Sequence, residues 1–399
     1  MKSKWSIKRL SEVAEIQMGQ SPKGSSYNIS GEGVPLINGP VEFGETPFSR
    51  TKTTKFTTEP TKMCRVGDLI LCVRGSTTGR MNIAGYDSCI GRGVASIRSE
   101  KYQDWINFFI HGNRETIYRL GSGATFPNVS GAMLAKLEIP IPPESEQKRI
   151  VAILDEAFEG IDRAIANTEK NLANVRKLFE SYLNAIFTQK GDGWVEKKLG
   201  EECEIVMGQS PNGSSYNSEG IGVPLINGPV EFGGIKPFSQ TVAIKFTTEQ
   251  TKMCKKGDLI LCVRGSTTGR MNIAGQEACI GRGVAAIRSK NNQDWVNQFI
   301  VYSRNKIYAL GSGSTFPNVS SSELKKIIIP FPPKEQQSHI VSKIEYLSAE
   351  TQRLEAIYKQ KLAALNELKQ SILQKAFTGE LTADTANQTT KAAQRVSAA

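Results

Sequence analysis

The sequence predicts an α+β protein built from one unit written twice, each unit a mixed α/β globule followed by a long helix. Three observations predict it. The first is an internal repeat with a period near 190 residues: Met18-Gly19-Gln20-Ser21-Pro22 returns as Met207-Gly208-Gln209-Ser210-Pro211, and residues 67–100 match 257–290 at 29 of 34 positions. A period this long marks a duplicated domain, not a solenoid. The second is the texture of the first 140 residues of each copy, where short apolar runs alternate with Gly, Ser, Thr, Asn and Pro. The third is a long proline-free stretch after each globule, with apolar residues every three or four positions.

Taken in order, the copies divide into residues 1–143, 144–190, 191–333 and 334–381, with 382–399 as a tail. In the first globule, Leu69-Ile70-Leu71-Cys72-Val73 reads as a buried strand entered through a turn at Gly67-Asp68. Residues 104–120 read as one helix stopped by Gly121. Pro140-Ile141-Pro142-Pro143 is a brake, and Pro330-Phe331-Pro332-Pro333 is its repeat. Beyond it, Ile150, Leu154, Ala157, Ile161, Ile165, Leu172, Val175, Phe179, Tyr182 and Ile186 form an apolar seam. Ile340, Ile344, Leu347, Leu354, Tyr358, Leu365, Leu368 and Ile372 form the second. About 45 residues at roughly 1.5 Å each make a helix on the order of 65 Å long. No third long helix exists, so each pairs with the other; the alternative is two helices packed separately on their own globules. The Ala/Thr/Gln-rich stretch 382–399 has no period and reads as a disordered tail.

Composition narrows the class. Of 399 residues, 39% are hydrophobic and 22% charged, as expected of a folded soluble chain. The opening residues Met1 to Lys8 contain no apolar core of a signal peptide, and the run 69–73 is too short to span a bilayer, so a cytoplasmic protein without membrane association is expected. Six of the seven cysteines are repeat pairs (64/254, 72/262, 89/279), Cys203 being the exception, and no Cys-x-x-Cys occurs. Reduced, buried thiols are expected, with no zinc site. The net charge is +11. Residues 144–190 carry seven basic and eight acidic side chains, and 334–380 carry seven and six. The long segments are therefore neutral together, and the positive excess lies mainly in the globules. That distribution suits protein contact along the helices and phosphate contact at the globules, although solvated surface would also account for it.

Three segments of the globule carry the chemistry of base and phosphate contact. The glycine-punctuated loop after the buried strand offers Arg74, Ser76, Thr77, Thr78, Arg80 and Asn82, repeated as Arg264, Ser266, Thr267, Thr268, Arg270 and Asn272. Arginine pairs bidentately with guanine, asparagine with adenine, and hydroxyls reach base edges or phosphates. Asn38 in Leu36-Ile37-Asn38-Gly39-Pro40, with Asn227 as its repeat, is a second candidate. Gln20, Ser21, Tyr27 and Asn28 are a third, with Gln209, Ser210, Tyr216 and Asn217. Arg92, Arg98, Lys52 and Lys55 are candidates for phosphate contact. Each has a structural alternative: the glycines shape turns and Asn38 caps a bend.

No catalytic constellation is visible. There is no Gly-x-x-x-x-Gly-Lys-Ser/Thr loop, no Asp/Asn-Pro-Pro-Tyr/Phe element, and no carboxylate cluster with a lysine. A binding component is expected. The other readings are a stand-alone DNA methyltransferase or nuclease with an unfamiliar site, and an interaction scaffold with no DNA role.

At this point the chain resembles the specificity subunits of type I restriction–modification systems. The resemblance rests on Trp-x-x-Lys-x-Leu at 5–10 and 194–199, and Gly-Asp-Leu-Ile-Leu at 67–71 and 257–261. It continues in Phe-Pro-Asn-Val-Ser at 126–130 and 316–320, the proline brakes, and Glu146-Gln147 and Glu335-Gln336 just after them. It closes on the distal run 370–381. The order of these pieces, twice over, covers nearly the whole chain. The resemblance implies two target-recognition domains joined by two long helices that form an antiparallel coiled coil, pseudo-twofold symmetric. Each domain then reads one half of a bipartite site in double-stranded DNA, and the helices act as spacer. It also implies two methyltransferase (modification) subunits and two restriction/translocase subunits as partners. S-adenosylmethionine, ATP and Mg²⁺ would be bound by those partners, with no cofactor, metal or catalytic residue in this chain. In one respect the chain departs from the family pattern. Members usually carry two dissimilar recognition domains and read an asymmetric site, whereas these are near copies, which points to an inverted repeat with a gap.

Overall fold

The run Leu69-Ile70-Leu71-Cys72 is apolar at every position because the strand it forms is covered on both faces. Leu69 and Leu71 face a helical layer, while Ile70 and Cys72 face a second sheet. In the computed structural model, residues 5–121, 127–189, 191–311 and 317–382 are described. The chain divides into two units, Met1–Thr168 with Gln360–Ala399, and Glu169–Lys359.

In the first unit a four-stranded antiparallel sheet has the order Glu15–Met18, Val94–Arg98, Leu69–Cys72, Met81–Ile83. A five-stranded sheet runs Tyr27–Asn28, Phe56–Thr57, Val34–Ile37, Ser88–Ile90, Met63–Cys64. Its one parallel pairing joins Leu36 to Cys89 and Ile37 to Ile90. Ser6–Arg9 pairs with Glu138–Ile141, tying the start of the globule to the proline brake. The second unit repeats this, with Cys203–Met207, Val284–Ser289, Leu259–Cys262 and Met271–Ile273 in its four-stranded sheet.

The helix expected over 104–120 is two helices, Gln103–Gly112 and Arg114–Leu120. Asn113 interrupts it. Its backbone sits at φ −97°, ψ 16°, and its side-chain Nδ2 donates to Phe109 O at 2.9 Å alongside its own N–H. Trp105 of the first of these helices is buried, and its indole N–H donates to Pro140 O at 2.8 Å, which fixes the helix to the brake.

The long helices span Glu144–Thr188 and Lys334–Thr378. Each unit holds the first part of the helix leaving its globule and the last part of the helix arriving at it. In the first unit Ile150, Leu154 and Phe158 share a core with Leu373 and Ala376, and Lys369 pairs with Asp162. In the second, Leu183 and Phe187 share a core with Val341 and Ile344, and Arg176 pairs with Glu355 at 2.8 Å. Positions rise along one helix as they fall along the other, so the packing is antiparallel in each unit. Phe158, Leu183 and Phe187, absent from the seam read in the sequence, are more deeply buried than Ile165, Leu172 or Val175. They cover the globule as well as the partner helix.

Of the stretch 382–399 read as a tail, Thr382 belongs to the folded part. Leu381 packs on the first core, and Thr382 is buried with its hydroxyl donating to Glu146 Oε1 at 3.1 Å, while 383–399 lie outside the described residues. All seven cysteines are buried and free. Burial pushes the Cys64, Cys72, Cys254 and Cys262 thiols up to about 11 and Cys203 to about 12, so they stay protonated at neutral pH. Among the described residues, no group of three or more His, Cys, Asp or Glu is placed to hold a metal ion, and no helix is long and apolar enough to cross a membrane.

Candidate nucleic-acid interface

Four loops of each globule leave the ends of neighbouring strands and are bonded to one another. In the first copy the Gly19 N–H donates to Val94 O (3.0 Å) and Gln20 N–H to Ile90 O (2.9 Å). Gly91 N–H donates to Ile37 O and Val73 N–H to Gly93 O, both at 2.9 Å. The Arg92 N–H reaches Ser21 Oγ at 3.2 Å. The segments after Met18, Ile37, Cys72 and Ile90 therefore form one patch. Close approach is built into it: a Cβ on Gly19 would fall 2.2 Å from the backbone oxygen of Gly91, so only glycine fits there. The second copy repeats these bonds, with Val263 N–H to Gly283 O at 2.9 Å and Arg282 N–H to Ser210 Oγ at 3.2 Å.

The patch separates the candidates. Gln20, Arg74, Ser76, Arg80 and Arg92 are exposed, and Ser21, Asn38 and Thr77 are half-buried at the same place. Gln209, Arg264, Ser266 and Arg282 are exposed in the second copy, with Ser210, Asn227, Thr267 and Arg270 half-buried. Tyr27 lies next to this group, its hydroxyl donating to Pro22 O at 3.4 Å and its ring under Lys55 Nζ at 5.8 Å; Tyr216 repeats the arrangement with Pro211 and Lys245. Asn28 and Asn217 close their own loops. Asn28 bonds both N–H and C=O of Glu32, and Asn217 those of Ile221.

Four candidates are corrected to structural residues. Asn82 and Asn272 are fully buried. Asn82 accepts the Gly44 N–H at 3.0 Å and donates to Thr46 O at 2.8 Å, so it holds the loop 43–50 from inside. Asn272 does the same with Gly233 N–H and Lys236 O. Thr78 and Thr268 are buried, with hydroxyls donating to Gly75 O and Gly265 O at 2.8 Å. A buried side chain with its polar atoms already bonded has nothing to offer a base. Arg98, a phosphate candidate, is also corrected: its guanidinium grips Asp68 through Nε and Nη2, both at 2.7 Å, and Arg288 grips Asp258 in the same way. The Asp68 and Asp258 carboxylates beside them hold both guanidiniums still higher than their usual range.

Arg74, Arg80 and Arg92 differ from Arg98 in having no carboxylate partner among the described residues. Arg74 is oriented by a neutral group, its Nε donating to Asn128 Oδ1 at 3.3 Å, as Arg264 donates to Asn318. The Arg74–Asn128 and Arg264–Asn318 contacts give Pro-Asn-Val-Ser a role the sequence did not reveal. Gly79, at φ +83°, turns the loop so that Arg80 faces Arg114 across a cleft of about 170 Å³. In the second copy Arg270 and Arg304 line a cleft of about 380 Å³. Arg114 and Arg304 were missed because they open a separate helix and lie some 35 residues beyond the loop. Uncompensated guanidiniums on glycine-shaped loops are suited to a phosphate backbone and base edges.

The family profile for the type I restriction modification DNA specificity domain matches residues 2–174 and again 191–364. The chain belongs to that family. A putative type I restriction enzyme MjaX specificity subunit from Methanocaldococcus jannaschii is 32% identical over 277 residues, 64% of this chain and 61% of that protein. The EcoKI specificity subunit of Escherichia coli K12 is 26% identical over 75% of this chain and 70% of its own length. Among solved structures, a chain from work on complex assembly and conformational transition of the type I R-M system has a TM-score of 0.79. It is 24% identical, over 94% of this chain and 98% of its own. The HsdS subunit from Thermoanaerobacter tengcongensis has a TM-score of 0.60 at 24% identity, over 95% and 98%. These structures share the fold of this specificity chain, with its duplicated domains and paired helices. The family role is that of a DNA-specificity subunit that is not itself catalytic.

Proposed function

We propose that each globule reads one half of a gapped, inverted double-stranded DNA site through the patch of Gln20, Ser21, Asn38, Arg74, Ser76, Thr77, Arg80 and Arg92 and its repeat. The carrying observation is that both copies present, on the same glycine-shaped loops, arginines with no carboxylate partner among the described residues, while Arg98 and Arg288 are engaged by aspartates. In this reading the long helices set the gap and dock two modification subunits. Two restriction/translocase subunits join these, and S-adenosylmethionine, ATP and Mg²⁺ are held by the partners. The assembly acts in the cytoplasm, where its DNA is.

The test is binding of the chain, with its modification subunits, to cognate and scrambled duplexes across a salt series. Phosphate contacts require log affinity to fall linearly with log salt. Arg74→Ala with Arg264→Ala is expected to cost about 1–3 kcal/mol per half-site on the cognate duplex and to relax base choice. Equal weakening on every duplex would instead make these arginines phosphate contacts.

A further inference from the structure

The loops 73–84 and 263–274 are identical, so they cannot tell one half-site from the other. The clefts they border are not identical. Both are framed by a phenylalanine, a proline, a methionine and two arginines, Arg80 with Arg114 in the first and Arg270 with Arg304 in the second. They part at two places. Glu45 and His111 line the first cleft, and Ile235 and Val301 stand in the second. Each exchange puts an aliphatic side chain where a polar one stood.

The loop that carries Glu45 or Ile235 is pinned at the same two points in both copies. Asn82 accepts the Gly44 N–H at 3.0 Å and donates to Thr46 O at 2.8 Å, with Glu45 alone between these anchors. Asn272 accepts the Gly233 N–H at 3.1 Å and donates to Lys236 O at 3.1 Å, with Gly234 and Ile235 between. An extra residue between the same anchors forces the loop outward, and Ile235 is 89% exposed. Glu45 is exposed as well. Its carboxylate has no hydrogen bond or ion pair among the described residues, although two arginines line the same cleft.

Neither side chain is engaged by the protein, and each is costly on a surface that meets phosphates. A free carboxylate is repelled by them, and a bare isoleucine keeps apolar surface in water. A base edge in the major groove can relieve both. Cytosine presents its N4 amino group, a donor suited to a carboxylate, and thymine presents its C5 methyl group, suited to an aliphatic side chain. Both are pyrimidines, so one replaces the other at a single step of the duplex with its geometry kept.

We propose that Glu45 and Ile235 tell the two half-sites apart, Glu45 selecting a cytosine through its N4 amino group and Ile235 a thymine through its C5 methyl group at the matching position. The inverted repeat is then broken at one step, cytosine in the half read by the first copy and thymine in the half read by the second. The inference rests on the reading proposed above, in which the arginine clefts face base edges.

The experiment is selection of bound duplexes from a randomised library by the full chain with its modification subunits, followed by sequencing. The parent is expected to return cytosine in one half and thymine in the other at matching positions. Glu45→Ala should lose the cytosine preference alone and Ile235→Ala the thymine preference alone, each by about tenfold in relative binding. The untouched half-site reports that each variant is folded. Deoxyuridine in place of that thymine removes only the methyl group; it should weaken binding by the parent and leave binding by Ile235→Ala unchanged. The underlying reading is tested separately by Arg74→Ala with Arg264→Ala. If that double variant binds every duplex as the parent does, the reading itself falls. If it does not, then identical bases in the two halves, or a parent that binds deoxyuridine as well as thymine, would overturn this inference alone.

Discussion

His111 and Val301 occupy the same position in the two copies, and only one of them titrates. His111 lies among Phe48, Phe158 and the first long-helix pair; burial, then Lys369 and Arg114, lower its imidazole to about 4 from 6.5, with Asp162 opposing. A base whose folded value is depressed contributes stability present above the unfolded value and lost as pH falls through the folded one. The first unit should therefore lose stability between about pH 6.5 and pH 4. His111→Val should remove that part of the acid sensitivity, read as urea midpoints across the pH range; an unchanged profile would refute the assignment. Asn82→Ala strips the loop 43–50 of its buried anchor. It should cost about 1–3 kcal/mol in urea unfolding, because the Gly44 N–H and Thr46 O lose their partner. The sequence displayed both asparagines and both kinds of arginine, yet could not sort them. Asn82 sits in a three-residue strand whose pairing with Ile70 turns its side chain inward. Arg98 is distinguished from Arg74 only by an aspartate 30 residues upstream.

At the level of elements, the long helices were the most legible part, because a three-to-four-residue apolar period survives any tertiary context. The strand Leu69–Cys72 was legible for a similar reason, being apolar throughout. The break at Asn113 was not, since a side chain bonding back to the i−4 carbonyl leaves the apolar period intact on both sides. Nor was the double duty of Phe158 and Phe187, which face partner helix and globule together. The spacer role can be tested on these helices. Inserting one turn at Thr168/Glu169 and one at Lys359/Gln360, the boundaries of the two units, adds about 5.4 Å of rise, or roughly 1.6 base pairs at about 3.4 Å each. The recognised gap should lengthen by one or two base pairs with both half-sites unchanged, as read by methylation-sensitive sequencing. Altered half-site bases would contradict a spacer.

For the whole molecule, the decisive property is equivalence of construction. Each unit contains a globule, the beginning of one long helix and the end of the other, run antiparallel, and each presents, on loops identical from 73 to 84 and from 263 to 274, arginines with no carboxylate partner among the described residues. If these loops do the reading as proposed, equal loops select equal bases, and a symmetric pair of readers would be mirrored in a symmetric site. The host methylome should therefore show an inverted repeat with an unread gap. The copies are not identical, however. The loop after Phe43 runs Gly44-Glu45-Thr46-Pro47, and its counterpart Gly233-Gly234-Ile235-Lys236-Pro237 is one residue longer and exchanges an acid for a base. Both loops line the arginine clefts, so any departure from a perfect repeat is expected at the bases those clefts approach. Single variants decide the matter: Arg74→Ala should relax one half-site and leave the other sharp, and Arg264→Ala should do the reverse. Two unrelated half-sites in the parent methylome, or relaxation of both halves by either single variant, would show that the duplicated loops do not do the reading.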